Sequence, residues 1–168
     1  MIPTAITAEE TAALVELARE RVVLELGAQF GHSTVAMAEV ALQVWSVDWH
    51  HGDPQAGFQY TLPAYFENVR AAAGVGRIIP VVGKFADVLP MLRPASFDLI
   101  FHDGLHELEA MVHDLTLARG LLRWSGAIAC HDYGIYDVAE ATAGVIGPPH
   151  RVVGSLAIWQ SRPATHHL

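Results

Sequence analysis

Residues 21–34, RVVLELGAQFGHST, decide how the rest of the chain is read. Positions 21–26 form a short apolar run with two adjacent valines, halted by Gly27, which is the pattern of a strand buried on both faces. The stretch 27–31 is then a turn, and the alanine-rich stretch 32–42 is a helix. A second apolar run at 44–47 ends on Asp48. The same alternation continues outward in both directions. Thr7-Ala-Glu-Glu10 is a capping-box pattern that opens a helix through about residue 19. A polar loop at 49–57 precedes a helix over 62–73 and a strand over 77–82. Then come a short helix at 85–92, a strand at 97–102 and a helix at 107–122, whose stripe is Leu108, Met111, Val112, Leu115 and Ala118. A strand at 127–130, a weak helix at 137–145 and one or two strands within 151–160, with a turn at Gly154, complete the pattern. Strands alternating with helices predict an α/β fold, a doubly wound and mostly parallel sheet in a single domain spanning 1–168.

Composition narrows the function. The 168 residues hold 10 Lys and Arg against 18 Asp and Glu, a net charge of −8, and the basic residues are scattered singly. Nucleic-acid binding by phosphate contacts needs clustered cations, so it is not expected. One cysteine, Cys130, makes no disulfide framework, the first ten residues lack a signal-peptide pattern, and no apolar run reaches membrane-spanning length. The expectation is a cytoplasmic protein with no membrane partner. Only 17% of residues are charged while 52% are hydrophobic, thin cover for a monomer, which predicts a homo-oligomer.

In a doubly wound sheet, ligands sit beyond the carboxyl ends of the strands, beside the first one. The turn at 27–31 lies there. It is not G-x-G-x-x-G, which argues against a dinucleotide pyrophosphate, but it opens the backbone to a ligand. Ser33 and Thr34 stand in the first helical turn as hydroxyl donors for a ligand carboxylate. Asp48 is placed to accept both hydroxyls of a ribose. The glycines alone would be ordinary turn formers; an acid at the end of the next strand makes the pair a nucleoside site.

The stretch ELGAQFGHSTVAMA followed by VWSVD resembles the first two motifs of class I S-adenosylmethionine-dependent methyltransferases. FDLIFHDGLHELEAMVHDL with GAIACHDY is similar to the small-molecule O-methyltransferase branch, whose members carry D-G-x-H after the fourth strand and an acidic or His-Asp pair after the fifth. The likeness runs over about 22–159. It implies a Rossmann-like methyltransferase fold with S-adenosylmethionine as cofactor and a small-molecule acceptor. Gly27 and Gly31 would make room for the methionine part of that cofactor and Glu25 would support the loop. Asp48 would hold the ribose, with Trp49 near the adenine. The family usually has an acid after the glycine that ends the third strand; here Lys84 and Phe85 follow Gly83, and Phe85 is the candidate to pack on the base.

The resemblance also makes the fourth and fifth strands neighbours, their ends about 5 Å apart. Asp103, His106, His131 and Asp132 would then converge. Asp103 would face both the cofactor and the acceptor, and the four would form a divalent-metal site for Mg²⁺, Mn²⁺, Fe²⁺ or Zn²⁺, histidine tilting the choice away from Mg²⁺. Methyl transfer from a sulfonium is an in-line displacement. A metal would lower the pKa of the acceptor hydroxyl and a neutral histidine, His106 or His131, would take its proton. The same groups could instead cap loops and bind one another without metal. Among the other histidines, His102 reads as a satisfied core residue, His113 as solvated, His32 as a helix start, and His50 and His51 as cavity-lining or solvated. His166 and His167 read as tail residues. Trp124 and Trp159 read as core and edge packing.

The leading function is therefore a metal-assisted O-methyltransferase acting on a small hydroxylated molecule. The alternatives are a non-catalytic nucleoside-binding module and a metal-dependent hydrolase using the Asp/His cluster. No residues remain for a separate lid, so the 49–57 loop, the 132–137 segment or a neighbouring subunit must close the pocket.

Overall fold

The fold was taken from a computed structural model that describes residues 1–55, 57–135 and 137–160. The capping box forms as read. Thr7 Oγ1 accepts from Glu10 N at 3.2 Å while Thr7 N donates to Glu10 Oε2 at 2.8 Å, opening α1 (Ala8–Ala18). The chain then enters β1 (Val22–Leu26), turns, and forms α2 (His32–Ala38) and β2 (Gln43–Asp48). Helix α2 is four residues shorter than the alanine content suggested. Val40 N and Ala41 N both return to Met37 O, and Leu42 N donates to Arg21 O, so the chain leaves the helix already aligned with β1.

The polar loop after Asp48 holds a small hairpin of β3 (Gly52–Asp53) and β4 (Gly57–Phe58), paired antiparallel. Next come α3 (Leu62–Arg70), β5 (Ile78–Val82), α4 (Phe85–Val88) with a 3₁₀ turn at Leu89–Met91, and β6 (Phe97–His102). Helix α5 (Leu108–Leu121) runs directly into β7 (Leu122–Cys130), five residues longer at its start than expected. In that extension Trp124 is 86% exposed, so it is surface rather than core; Trp159 is buried as read. Helix α6 (Val138–Val145) and the hairpin β8 (Arg151–Val153) and β9 (Leu156–Gln160) follow, turning at Gly154. His166 and His167 lie outside the described residues.

The seven-stranded sheet has the order β5-β2-β1-β6-β7-β9-β8. The five strands from β5 to β7 are parallel, while β9 and β8 add antiparallel. Strand order reverses between β1 and β6, leaving a crevice at their carboxyl ends. Alternating side chains feed two cores. On one face Leu14, Met37, Val44, Tyr65 and Phe101 pack beneath α1, α2 and α3. On the other Leu24, Leu26, Ile100, Met111 and Leu115 pack beneath α4, α5 and α6. The buried stripe of α5 is Met111, Leu115, Ala118 and Leu121 together with Asp114, whereas Leu108 and Val112 are only half-buried. Among the described residues no helix is long and apolar enough to cross a membrane.

Candidate active site

The site begins with a close approach. Asp103 N donates to Leu26 O at 2.8 Å, bringing the end of β6 against the end of β1. A Cβ on Gly27 would lie 2.1 Å from the Asp103 carbonyl oxygen, and Gly27 holds φ +96°, so only glycine serves here. Four residues on, Gly31 caps α2 at φ +87° with Tyr65 packed against it.

Under this turn Glu25 is fully buried. Ser33 Oγ and Ser46 Oγ donate to it at 2.6 and 2.8 Å, and Thr34 Oγ1 donates to its second oxygen. Ser33 and Thr34 thus serve a carboxylate, but the protein's own. Both are buried against Glu25, whose unsolvated carboxylate needs these donors, which corrects the expectation that they face a ligand. Burial pushes the Glu25 pKa up to about 7, against the three hydroxyl donors that favour its charge.

Asp48 stands where expected, at the end of β2. Its Oδ2 accepts from Ala28 N and Gln29 N at 2.9 and 2.8 Å, and its Oδ1 from His50 N at 2.6 Å. The acid therefore ties the glycine turn to the next loop while lining a cavity of about 590 Å³. Trp49 lines the same cavity, with Lys84 Nζ 4.9 Å above its ring centre and the tilted ring of His51 at 5.1 Å. Phe85 completes this end, edge-on to His102 and so close to Gly104 that a Cβ there would lie 2.5 Å from it. His50 is buried rather than solvated, its Nδ1 2.9 Å from Thr61 Oγ1 and its ring against Tyr65. His32 starts α2 and meets Thr11 Oγ1 at 3.1 Å.

The far end holds the Asp/His cluster. His131 Nδ1 lies 3.2 Å from Asp103 Oδ1 and 3.3 Å from Asp132 Oδ1; His106 Nδ1 lies 3.5 Å from Asp132 Oδ2 and its Nε2 3.9 Å from Asp103 Oδ1. Asp103, His131 and Asp132 each present a ligand atom within 4.8 Å of one another. His106 lines the cavity beside this trio, its ring nitrogens near both carboxylates, and is not part of that set. Two carboxylates and one imidazole suit Mn²⁺, Fe²⁺ or Zn²⁺. Burial lowers the His106 pKa, outweighing the two nearby carboxylates. Burial also works against a charged His131, but the hydrogen bond and charge of Asp103, with Asp132 and Glu10 nearby, prevail and raise its pKa to about 9. The two imidazoles are thus shifted in opposite directions, His106 toward its neutral form and His131 toward its charged one.

Several residues in the site carried no signal. Gln55, in the 52–58 hairpin, accepts from His106 N at 3.0 Å, so that hairpin bridges the cavity to the cluster. Glu10 and Ser155 stand behind His131. Asp114 lines the cavity from α5, and His102 lies buried beside it. His102 is in the core as read but is not satisfied. Neither ring nitrogen has a hydrogen-bond partner, and its nearest charge is Asp114 Oδ2 at 3.6 Å. His113 is exposed as read.

A doubly wound sheet with a glycine turn after its first strand and an acid ending its second is the architecture in which nucleotide-type ligands bind beyond the strands' carboxyl ends. Residues 24–133 match the family described as Methyltransferase domain, and the chain belongs to that family. Among solved structures it is similar to cofactor-bound Rv0187 from MTB at 28% identity and TM-score 0.64, covering 78% of this chain and 59% of that one. It is similar to the O-methyltransferase TomG of Streptomyces achromogenes, in complex with SAM, at 21% identity and TM-score 0.64, covering 86% and 63%. An O-methyltransferase from Bacillus cereus, in complex with SAH, matches at 19% identity and TM-score 0.63, covering 78% and 60%. The last two speak to the fold. The chain spans about three fifths of the length of these three structures. No curated protein matches the sequence.

Proposed function

We propose that the chain is an S-adenosylmethionine-dependent methyltransferase that carries out metal-assisted O-methylation of a small hydroxylated molecule. The observation that carries this reading is one cavity of about 590 Å³ that Gly27, Asp48, Trp49 and Phe85 line together with Asp103, His106 and Asp132. Asp48 would take the ribose hydroxyls, exchanging its backbone donors for them in part. Trp49 and Phe85 would flank the adenine. Gly27 lines the cavity where the methionine portion would lie, above the floor that Glu25 forms, whereas the space at Gly31 is filled by Tyr65 and Gly31 serves the turn instead of a ligand.

The acceptor then lies at the Asp/His end. A divalent ion held by Asp103, His131 and Asp132 would lower the pKa of the acceptor hydroxyl. His106, shifted toward its neutral form by burial, would take the acceptor's proton; the cofactor would supply a sulfonium-bound methyl group, whose carbon–sulfur electron pair stays on sulfur on transfer. Asp103 borders both halves of the cavity and orients acceptor against donor. Gln55, bonded to His106 N, would help to cover this junction. A second copy of the chain closing the remaining open side would account for the thin surface charge.

Calorimetry with S-adenosylmethionine and S-adenosylhomocysteine tests the reading, followed by turnover on a panel of sugars and phenols with and without Mn²⁺. Folded protein that ignores both ligands at millimolar concentration refutes it and leaves a metal-dependent hydrolase. Affinity that survives Asp103→Ala, with no acceptor ever methylated, would instead identify a nucleoside-binding module.

A further inference from the structure

As the fourth residue of a capping box, Glu10 has a sufficient local reason to exist. That role leaves a side chain at the surface, yet Glu10 is 2% exposed. The turn between β8 and β9 is pressed against it: a Cβ on Gly154 would lie 2.5 Å from Glu10 Oε1, and Gly154 holds φ +58°. Ser155 N and Ser155 Oγ donate to that same oxygen at 2.6 and 2.9 Å. Ser155 Oγ in turn lies 3.2 Å from His131 Nε2, with Glu10 Oε2 at 3.5 Å from the same nitrogen. None of these contacts is needed to start a helix.

The donor directions follow from the chemistry of the groups. An ionised carboxylate only accepts, so the Ser155 hydroxyl gives its proton to Glu10. Its oxygen is then left to accept from His131 Nε2–H. A neutral His131 ring held in this way carries its lone pair on Nδ1, the nitrogen 3.2 and 3.3 Å from the Asp103 and Asp132 oxygens. Carboxylate, hydroxyl and imidazole form a chain that ends at the metal-binding face of the cluster, the arrangement by which an outer carboxylate fixes the tautomer of a ligating histidine and raises its basicity.

We infer that Glu10, acting through Ser155, is a positioning residue that holds His131 as the Nε2–H tautomer with Nδ1 presented to a divalent cation between Asp103 and Asp132. This rests on the metal-assisted reading above.

The test is Mn²⁺ binding by calorimetry to the wild type and to Glu10→Gln, Ser155→Ala and Thr7→Ala. Glutamine keeps the helix start, because it also serves at that place in a capping box, but its amide can donate to Ser155 and reverse the chain of hydrogen bonds. Glu10→Gln and Ser155→Ala are expected to weaken Mn²⁺ binding about 10- to 100-fold. Thr7→Ala removes the cap and one hydroxyl bond to Glu10 Oε2 but leaves Ser155 on Oε1, so it should lower the melting temperature and weaken Mn²⁺ binding less than Ser155→Ala does. In Zn²⁺-loaded wild type, ¹⁵N spectra should show His131 Nδ1 bound to metal and Nε2 protonated. Folded Glu10→Gln and Ser155→Ala proteins with wild-type Mn²⁺ affinity would overturn this inference alone, as would metal on Nε2. A wild type that takes up no Mn²⁺ would overturn the metal site with it.

Discussion

Replacing Glu25 by glutamine should change how stability depends on pH more than it changes stability at any single pH. Glu25 is wholly buried and its pKa is raised from 4.5 to about 7 by loss of solvation, with three hydroxyl donors opposing that rise. A carboxyl whose folded pKa lies above its unfolded one binds more protons in the folded state, so its contribution to stability is full below pH 4.5. That contribution declines as pH rises through 7. The shift of about 2.5 units, at about 1.4 kcal/mol each, corresponds to roughly 3 kcal/mol. Other groups titrate too. Glu10 opposes burial with hydrogen bonds from Thr7 and Ser155 and is held at about 2, so its contribution is lost as pH falls below 4.5 toward 2. His131, raised to about 9, contributes below pH 6.5 and loses that contribution as pH climbs through 9. Both remain in Glu25→Gln and cancel in the difference between the two proteins. Urea unfolding at half-unit steps from pH 4.5 to 8 should therefore show the variant gaining about 3 kcal/mol on the wild type. A difference that stays flat within about 0.5 kcal/mol would mean that Glu25 keeps an ordinary carboxylate pKa, and the account of the buried floor would be wrong.

Gly27→Ala should cost roughly 2 to 6 kcal/mol from left-handed backbone strain and collision with the Asp103 carbonyl, measured as a lowered urea midpoint, and should abolish cofactor binding in whatever folds. Asp48→Ala should weaken S-adenosylhomocysteine binding roughly 10- to 150-fold in calorimetry, the loss expected for hydrogen bonds to a charged group. Unchanged affinity would move the ribose elsewhere. His106→Ala should lower kcat about 10²- to 10⁴-fold while leaving S-adenosylhomocysteine affinity intact, separating proton removal from cofactor binding.

The order of elements, the glycine turn and Asp48 were legible because each rests on a local rule: a run of apolar residues, a break at glycine, an acid at a strand end. The meeting of Asp103, His106, His131 and Asp132 was legible only through the likeness of two separated motifs, which made β6 and β7 neighbours. What stayed hidden depends on distance along the chain. Ser33 and Thr34 have the composition of a ligand-facing helix start, and only the burial of Glu25 beneath them turns them inward. Trp124 looks like core by residue type, but α5 passes into β7 without a loop and carries it out to solvent. His102 was read as satisfied because a buried imidazole usually is; its neighbour Asp114, twelve residues on, stops at 3.6 Å. Gln55 could not be foreseen, since nothing local shows that a polar loop folds back onto a backbone amide fifty-one residues later.

The contact between Glu10 and Ser155 spans 145 positions. The glycine turn, by contrast, is closed by Asp48 across about twenty. Because loop closure becomes more costly with length, the tie at Ser155 carries a larger entropic cost than the tie at Asp48. The wall beneath Asp48 thus needs only a short stretch of chain, whereas the backing of His131 by Glu10 and Ser155 needs nearly all of it.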